Sequence, residues 1–286
     1  MNNSKTLKEP EKQHGETISP INVVYCVDSF ESAGNQFIDM LMGSVSSLKE
    51  FAGKDDSISV NVLYGNLPPQ VIENLHALES DNFKVRTQAL YPNFLQELNK
   101  YSKPSFDKNV RGWPGIVYAR LWLSDILPNL HRVIYLDTDT MVRGSLKELW
   151  NTDLKGNVYG MVHGTIPEYG YNSGVILMDL DAIRADNDNY KKLTAFMSQN
   201  SAKFYCPDQT TINRFYAGRI LELPLKWNYG PMNMRRGDPA MRDAVIWHFY
   251  NTKQKPFRID SDDFGVALLE WNRQLHKFEA ELVKSR

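Results

Sequence analysis

The chain reads as an α/β protein built on one central sheet, mixed but mostly parallel, and three features predict it. Between Asn22 and Val85, short apolar runs alternate with stretches of helical spacing in the order strand, helix, strand, helix, strand. That order opens a doubly wound sheet of the nucleotide-binding kind. Further on, Arg132-Val133-Ile134-Tyr135-Leu136 is apolar without polar alternation, the pattern of a strand covered on both faces. This run leads directly into Asp137-Thr138-Asp139, two carboxylates at the mouth of a buried strand.

Taken in order, the first strand is Asn22-Val23-Val24-Tyr25-Cys26-Val27, ending at Asp28. Phe37, Met40, Leu41, Val45 and Leu48 recur at helical spacing and predict a crossover helix ending near Gly53. Residues 58–64 alternate as a strand, Gly65-Asn66-Leu67-Pro68-Pro69 breaks it, and Pro69 suits the first turn of a helix over 70–78. Phe83-Lys84-Val85 is a third strand. A helix is expected over 91–101, a loop over 102–115, and a buried helix carrying Arg120 over 116–127. Ser145-Leu146-Lys147-Glu148 fits a capping box. Residues 158–162 and 174–178 read as core strands, 190–199 and 209–216 as helices, and 244–247 as a late strand ending at His248.

The ends differ from this body. Residues 1–20 are polar, have no apolar core of a signal peptide and are expected to be a disordered tail. One domain is expected over 21–260 and an amphipathic helix over 261–286. In that helix Phe264, Leu268, Trp271, Leu275, Phe278 and Leu282 form a seam of period 3.5. Its expected partner is its own domain, with a dimer contact or a peripheral membrane contact as the alternative; nearly balanced acids and bases give little attraction to anionic lipid.

Composition narrows the function classes. With 286 residues, 42% hydrophobic and 23% charged, a sizeable core is expected. A net charge of −1 gives no electrostatic case for nucleic acid. No segment has the roughly 20 apolar residues of a membrane span, and two cysteines, Cys26 and Cys206, suggest a reducing compartment. A cytoplasmic protein is expected.

The chemistry starts at Asp137 and Asp139. In extended backbone, side chains at i and i+2 point the same way, so the two carboxylates would face one point. Their repulsion and desolvation need a cation, Lys/Arg or a hard divalent metal such as Mn²⁺ or Mg²⁺; a plain turn is the alternative. Buried Arg120 needs an acidic partner for the same reason.

Further features follow in order: Tyr118-Ala119-Arg120-Leu121 before the pair, then Tyr171-Asn172-Ser173-Gly174-Val175, Asp208-Gln209, His248 and Lys253-Gln254-Lys255-Pro256-Phe257. Together they resemble the family 8 retaining glycosyltransferases, the class of bacterial lipooligosaccharide galactosyltransferases and glycogenin, over about residues 22–257. The resemblance implies a GT-A fold, a UDP-glucose or UDP-galactose donor, a saccharide or glycoconjugate acceptor, and Mn²⁺ with Mg²⁺ as the alternative ion. It implies Asp137, Asp139 and His248 as metal ligands. It puts the donor's nucleotide and phosphates against Val27, Asp28, Arg120, Asp137-Thr138-Asp139 and Lys255, with Lys253 as the alternative for the diphosphate. It assigns catalysis and sugar positioning to Asn172, Asp208 and Gln209, with helix capping as the alternative for Asp208, and uracil stacking to Phe30 or Phe37.

The chain departs from the family pattern in three places. Asn251 stands where the family has glycine, the spacing from His248 to Lys255 is one residue longer, and the segment 160–171 is short, with Gly164 where a sugar-contacting acid is expected. These departures motivate the alternative of a catalytically silent nucleotide-sugar-binding or interaction protein. A sugar nucleotidyltransferase fits less well, because a Gly-rich phosphate loop is lacking near Asp28.

Overall fold

In the computed structural model, residues 19–29, 36–102, 114–204, 206–230, 239–250, 255 and 265–285 are described. The elements run β1 (Ile21–Val27), α1 (Gln36–Phe51), β2 (Ile58–Tyr64), α2 (Pro69–His76), β3 (Phe83–Ala89) and α3 (Pro92–Asn99). A 3₁₀ segment (Gly115–Trp122) then enters α4 (Leu123–Ile126), followed by β4 (Arg132–Leu136), β5 (Thr140–Val142) and α5 (Lys147–Trp150). The second half is β6 (Tyr159–His163), β7 (Tyr171–Asp179), α6 (Leu180–Arg184), α7 (Asn189–Asn200), α8 (Pro207–Phe215), β8 (Ile220–Glu222), α9 (Pro239–Asp243), β9 (Ile246–His248) and α10 (Gly265–Ser285).

Seven strands form one sheet in the order β3-β2-β1-β4-β7-β6-β8. β1 pairs in parallel with β2 and β4, and β2 with β3, as the apolar runs of the first half require. β7 is the reversed strand, antiparallel to both β4 and β6, and β8 adds a parallel edge to β6. The central strands β1, β4 and β7 are buried on both faces. Val23, Tyr25, Ile134, Leu136, Val175 and Leu177 enter one apolar cluster, while Val24, Cys26, Val133, Tyr135, Ile176 and Met178 enter the other. The two-residue period of each strand thus feeds two cores at once.

Four local expectations need correction. The segment carrying Arg120 is mostly 3₁₀, not α; Arg120 Nε donates to the Val117 carbonyl at 2.8 Å, drawing on a group that would otherwise serve the helical ladder. The capping box does not close: Ser145 Oγ accepts from Lys147 N at 3.2 Å, but Glu148 turns outward to Lys226 at 2.7 Å. β7 is longer than residues 174–178 and includes Asn172. The short strands β5 and β8 were not foreseen, since three residues carry too little periodicity to read.

No helix among the described residues is long and apolar enough to cross a membrane. Both cysteines are free. In α10, Trp271 and Phe278 are buried, with Leu275 and Leu282 packed beside them, and Trp271 joins Met40, Met141, Tyr229, Trp247 and Phe249 in a third cluster. Phe264 and the side chain of Leu268 lie outside the described residues. Trp271 lies over Gly43 of α1, where an added Cβ would stand 3.0 Å from the indole.

Glu50 at the end of α1 fastens this helix. Arg273 reaches its two oxygens at 3.1 and 3.2 Å, and Gln274 and Lys277 also contact it. Partial burial pushes the Glu50 carboxyl up, but Lys277, Gln274 and Arg273 outweigh it and hold it at about 2. A lowered carboxylate stabilises the fold above its unfolded pKa and ceases to do so as pH falls through the folded value. Glu50→Gln is therefore expected to lower stability at pH 7 by about 1 kcal/mol, the upper range for partly solvated pairs. The difference from wild type should shrink as pH falls from about 4.5 toward 2, as read by urea unfolding. Equal stability of the two proteins at pH 7 would contradict the clamp.

Candidate functional site

The first strands end together at one edge of the sheet, and Asp28, Asp137 and Asp139 lie just past the ends of β1 and β4. Val27 is buried as the last residue of β1, paired with Tyr64. Asp28 Oδ1 accepts from the backbone N–H of Asn66 at 2.7 Å and of Ser29 at 3.0 Å. Burial pushes its carboxyl up against those bonds. The carboxylate sits over Gly65, where a Cβ would meet Oδ2 at 2.6 Å.

Asp137 and Asp139 are not on extended backbone. β4 stops at Leu136, and residues 137–139 form a turn closed by Thr140, whose N and Oγ1 both donate to the Asp137 carbonyl at 3.2 and 2.8 Å. Extended i, i+2 geometry therefore does not align the carboxylates, yet they converge. They do so because the turn feeds β5, and β5 pairs with β9 so that Thr140 stands opposite His248. His248 Nε2 lies 3.3 Å from Asp139 Oδ1 and 3.6 Å from Asp137 Oδ2. One ligand atom from each of the three residues falls within 4.8 Å of the others. Thr138 is half-buried at the tip of the turn.

Cations flank the acids. Arg120, 5% exposed, pairs with Asp137 at 2.8 Å and with Asp208 at 3.3 Å, and its Nη1 donates to the Ser173 carbonyl at 2.9 Å. Its guanidinium stacks 4.5 Å from the centre of the Tyr135 ring, whose hydroxyl donates to Asp137 Oδ1 at 2.8 Å. Lys255 is buried, with Nζ against Asp139 Oδ2. Burial pushes both carboxyls up, but Arg120 and His248 hold Asp137 well below the ordinary range, and Lys255 and His248 lower Asp139. For His248, burial pulls the pKa down, and the two carboxylates overcome it and raise it.

The residues fit a divalent ion on two structural grounds. His248 is 1% exposed and its Nε2 has no hydrogen-bond partner among the described residues, although it faces two carboxylates. A lone pair so placed beside oxygen ligands is a donor set for Mn²⁺-type ions. The second ground is Gly174 of β7. A Cβ there would lie 1.9 Å from His248 Cε1 and 2.6 Å from Nε2, so the ring occupies a space only glycine leaves open.

Asp208 and Gln209 stand in the first turn of α8. Asp208 makes no capping bond and instead accepts from Ser173 Oγ at 3.1 Å beside Arg120. Gln209 Oε1 accepts from Asn172 Nδ2 at 3.2 Å and from Ser173 N at 3.3 Å, while Nε2 donates to the Tyr169 carbonyl at 3.1 Å. α8 and β7 are thereby fastened to one another beside the acids. Phe37 packs partly buried against the cluster that includes Trp271. Phe30, Asn251, Lys253, Pro256 and Phe257 lie outside the described residues. Tyr135, which donates to Asp137, and Asn228, which bonds His248 Nδ1, have no assigned role in the sequence reading. Tyr135 carried a signal, standing two residues before Asp137 in the apolar run that leads into the acid pair.

The sequence model of the family described as Glycosyl transferase family 8 matches residues 31–259. Among curated proteins, the lipopolysaccharide 1,2-glucosyltransferase of Escherichia coli strain K12 is 29% identical over 133 residues, 41% of this chain and 39% of that protein. Glycosyltransferase GlyF of Streptococcus pneumoniae is 28% identical over 116 residues, 39% of this chain and 29% of that protein. The chain thus spans well under half the length of these relatives. Among solved structures, galactosyltransferase LgtC with donor and acceptor sugar analogs superposes with a TM-score of 0.70 at 22% identity, covering 90% of this chain and 96% of that one. The likeness is one of fold, and that fold is GT-A.

Gly174→Ala tests the packing directly. It should displace the imidazole and weaken Mn²⁺ binding by about 10–100-fold, the range for lost support of a ligand, with the circular dichroism spectrum unchanged. Titration of Mn²⁺ followed by electron paramagnetic resonance of the free ion reads this. Wild-type affinity in the variant would contradict the proposed crowding.

Proposed function

The chain belongs to glycosyl transferase family 8, and on that premise we propose that it is a metal-dependent retaining hexosyltransferase moving glucose or galactose from a UDP-sugar to a saccharide or glycoconjugate acceptor. The observation that carries the reading is the convergence of Asp137, Asp139 and His248 at the strand edge of a GT-A fold. The names of the matched relatives, a glucosyltransferase and a galactosyltransferase, support hexose as the transferred group.

In this reading Asp137, Asp139 and His248 hold a divalent ion, Mn²⁺ or Mg²⁺. When bound, the ion supplies Lewis-acid stabilisation to the departing diphosphate. The chain's own residues do the rest. Asp28 and Val27 seat the nucleoside at the end of β1, where parallel sheets of this type bind such groups. Arg120 keeps Asp137 ionised and its carboxylate oriented by the bidentate reach to Asp137 and Asp208. Lys255, held against Asp139 without donor, can turn its ammonium to the diphosphate. There it stabilises charge that grows as the glycosidic bond breaks, a contribution larger in the transition state than before it. Asp208, Gln209 and Asn172 form the wall on the sugar side, with Asp208 the carboxylate available to steady positive charge at the anomeric carbon.

Asp139→Ala and Asp137→Ala are each expected to lower hexose transfer by about 10²–10³-fold and to remove Mn²⁺-dependent UDP binding, with folded secondary structure retained. Incubating the wild-type chain with UDP-glucose or UDP-galactose and Mn²⁺ should release UDP slowly even without acceptor. Tight binding with no turnover toward any acceptor would contradict the enzyme reading and favour a binding protein.

The pH dependence has a definite sign. The imidazole must be neutral to ligate, and the carboxylates raise its pKa above the ordinary 6.5. Mn²⁺ affinity is therefore expected to decline on acidification from above pH 6.5, not only below it. A flat affinity between pH 8 and pH 6 would argue against His248 as a ligand.

A further inference from the structure

A neutral imidazole has two tautomers, and only the one with a bare Nε2 can ligate a cation lying between Asp137 and Asp139. Those carboxylates by themselves favour the wrong one, because an Nε2–H placed between two anions is electrostatically stabilised. Something on the far side of the ring must hold the proton at Nδ1.

The hydrogen bonds identify it. Asn172 Oδ1 lies 3.0 Å from the backbone N–H of Gly174, which can only donate, so the orientation of this amide is not ambiguous. Its other end agrees: Nδ2 donates to Gln209 Oε1, an oxygen that also accepts from the backbone N–H of Ser173. The same Asn172 Oδ1 lies 2.9 Å from the side chain of Asn228, which must therefore present its Nδ2 there. Asn228 consequently turns its Oδ1 to His248 Nδ1, 2.9 Å away. An amide oxygen accepts only, so Nδ1 carries the proton and Nε2 carries the lone pair. Asn228 is 4% exposed and His248 1%, which keeps water from substituting in this chain of bonds.

We infer that Asn172 and Asn228 form a two-amide relay, templated by the Gly174 backbone N–H, that fixes the tautomer of His248 and aims its Nε2 lone pair at the Asp137–Asp139 site. Both act as positioning residues for a ligand on the far side of the ring from themselves. The inference deepens the metal-site reading and rests on it, and the histidine tautomer tests it without metal. Metal-ligating histidines generally donate their other ring N–H to an acceptor that fixes the tautomer, and here a side-chain amide takes that place.

The test uses the full chain with ¹⁵N-labelled histidine, with His248→Gln to identify the signals of this ring. With the ring neutral, wild type should show a protonated Nδ1 and a bare Nε2. Asn228→Leu removes the acceptor, so the proton should move to Nε2 and the Kd for Mn²⁺ should rise about 10–100-fold. Asn228→Asp keeps an acceptor at Nδ1 but loses the donation to Asn172 Oδ1, so it should keep the wild-type tautomer with a Mn²⁺ affinity between those of wild type and Asn228→Leu. A protonated Nε2 in the neutral ring of wild type, or an unchanged tautomer in Asn228→Leu, would overturn the relay. Should Asn228→Leu not fold, Asn228→Asp decides alone, and loss of the Nδ1 proton there overturns it. Failure of the wild-type chain to bind Mn²⁺ would instead remove the metal reading, while the tautomer still judges the relay.

Discussion

Two carboxylates brought together in a nearly dry place set the terms for the rest of this molecule. Asp139 is 5% exposed and the quarter-exposed Asp137 points into the same space, where like charges repel and hydration is reduced. The chain answers with positive charge on each flank, Arg120 beside Asp137 and Lys255 beside Asp139, and with the imidazole of His248 between. The two cations are not equivalent. Arg120 is tied down by Val117, Ser173, Asp208 and the Tyr135 ring, so it is a fixture of the fold. Lys255 contacts the acid it neutralises, and a point charge on a flexible stem can be exchanged for another cation.

The sheet topology makes this arrangement attainable. β4 delivers Asp137 and Asp139 from the centre of the sheet, and its antiparallel neighbour β7 brings Gly174 and Asn172 alongside. The small β5–β9 ribbon then folds the late segment back so that His248 lies over Gly174. Three stretches far apart in sequence meet because one strand is reversed, one glycine lacks a side chain, and one short ribbon sets the register. The C-terminal helix α10 backs this region through Trp271, which packs with Met141 and Trp247 from the same ribbon.

Much of the architecture was legible because burial imposes pattern. The continuous apolar runs at β1 and β4 announced strands covered on both faces, and the helical spacing from Phe37 to Leu48 announced α1. What could not be read was whatever depends on three-dimensional register. Residues 137–139 look extended in sequence but turn, because Thr140 captures the Asp137 carbonyl. The segment bearing Arg120 tightens into 3₁₀ geometry, which no periodicity announces. Asn228 sits in an ordinary stretch after Trp227, and its role becomes visible only when β7 and β9 bring two amides and a ring into line. Asp208 is a different case: a residue after proline at a helix start invites a capping role, and the guanidinium of Arg120 claims it instead.

The central claim is that one imidazole and two carboxylates share a single divalent ion. Electron spin echo modulation of the Mn²⁺-loaded chain measures this directly, since a coordinated imidazole nitrogen imprints its own frequencies on the echo of the bound ion. Nitrogen modulation is expected in wild type and its absence in His248→Gln, while the bound Mn²⁺ signal persists with weaker affinity. Bound Mn²⁺ in wild type without any histidine nitrogen modulation would contradict it.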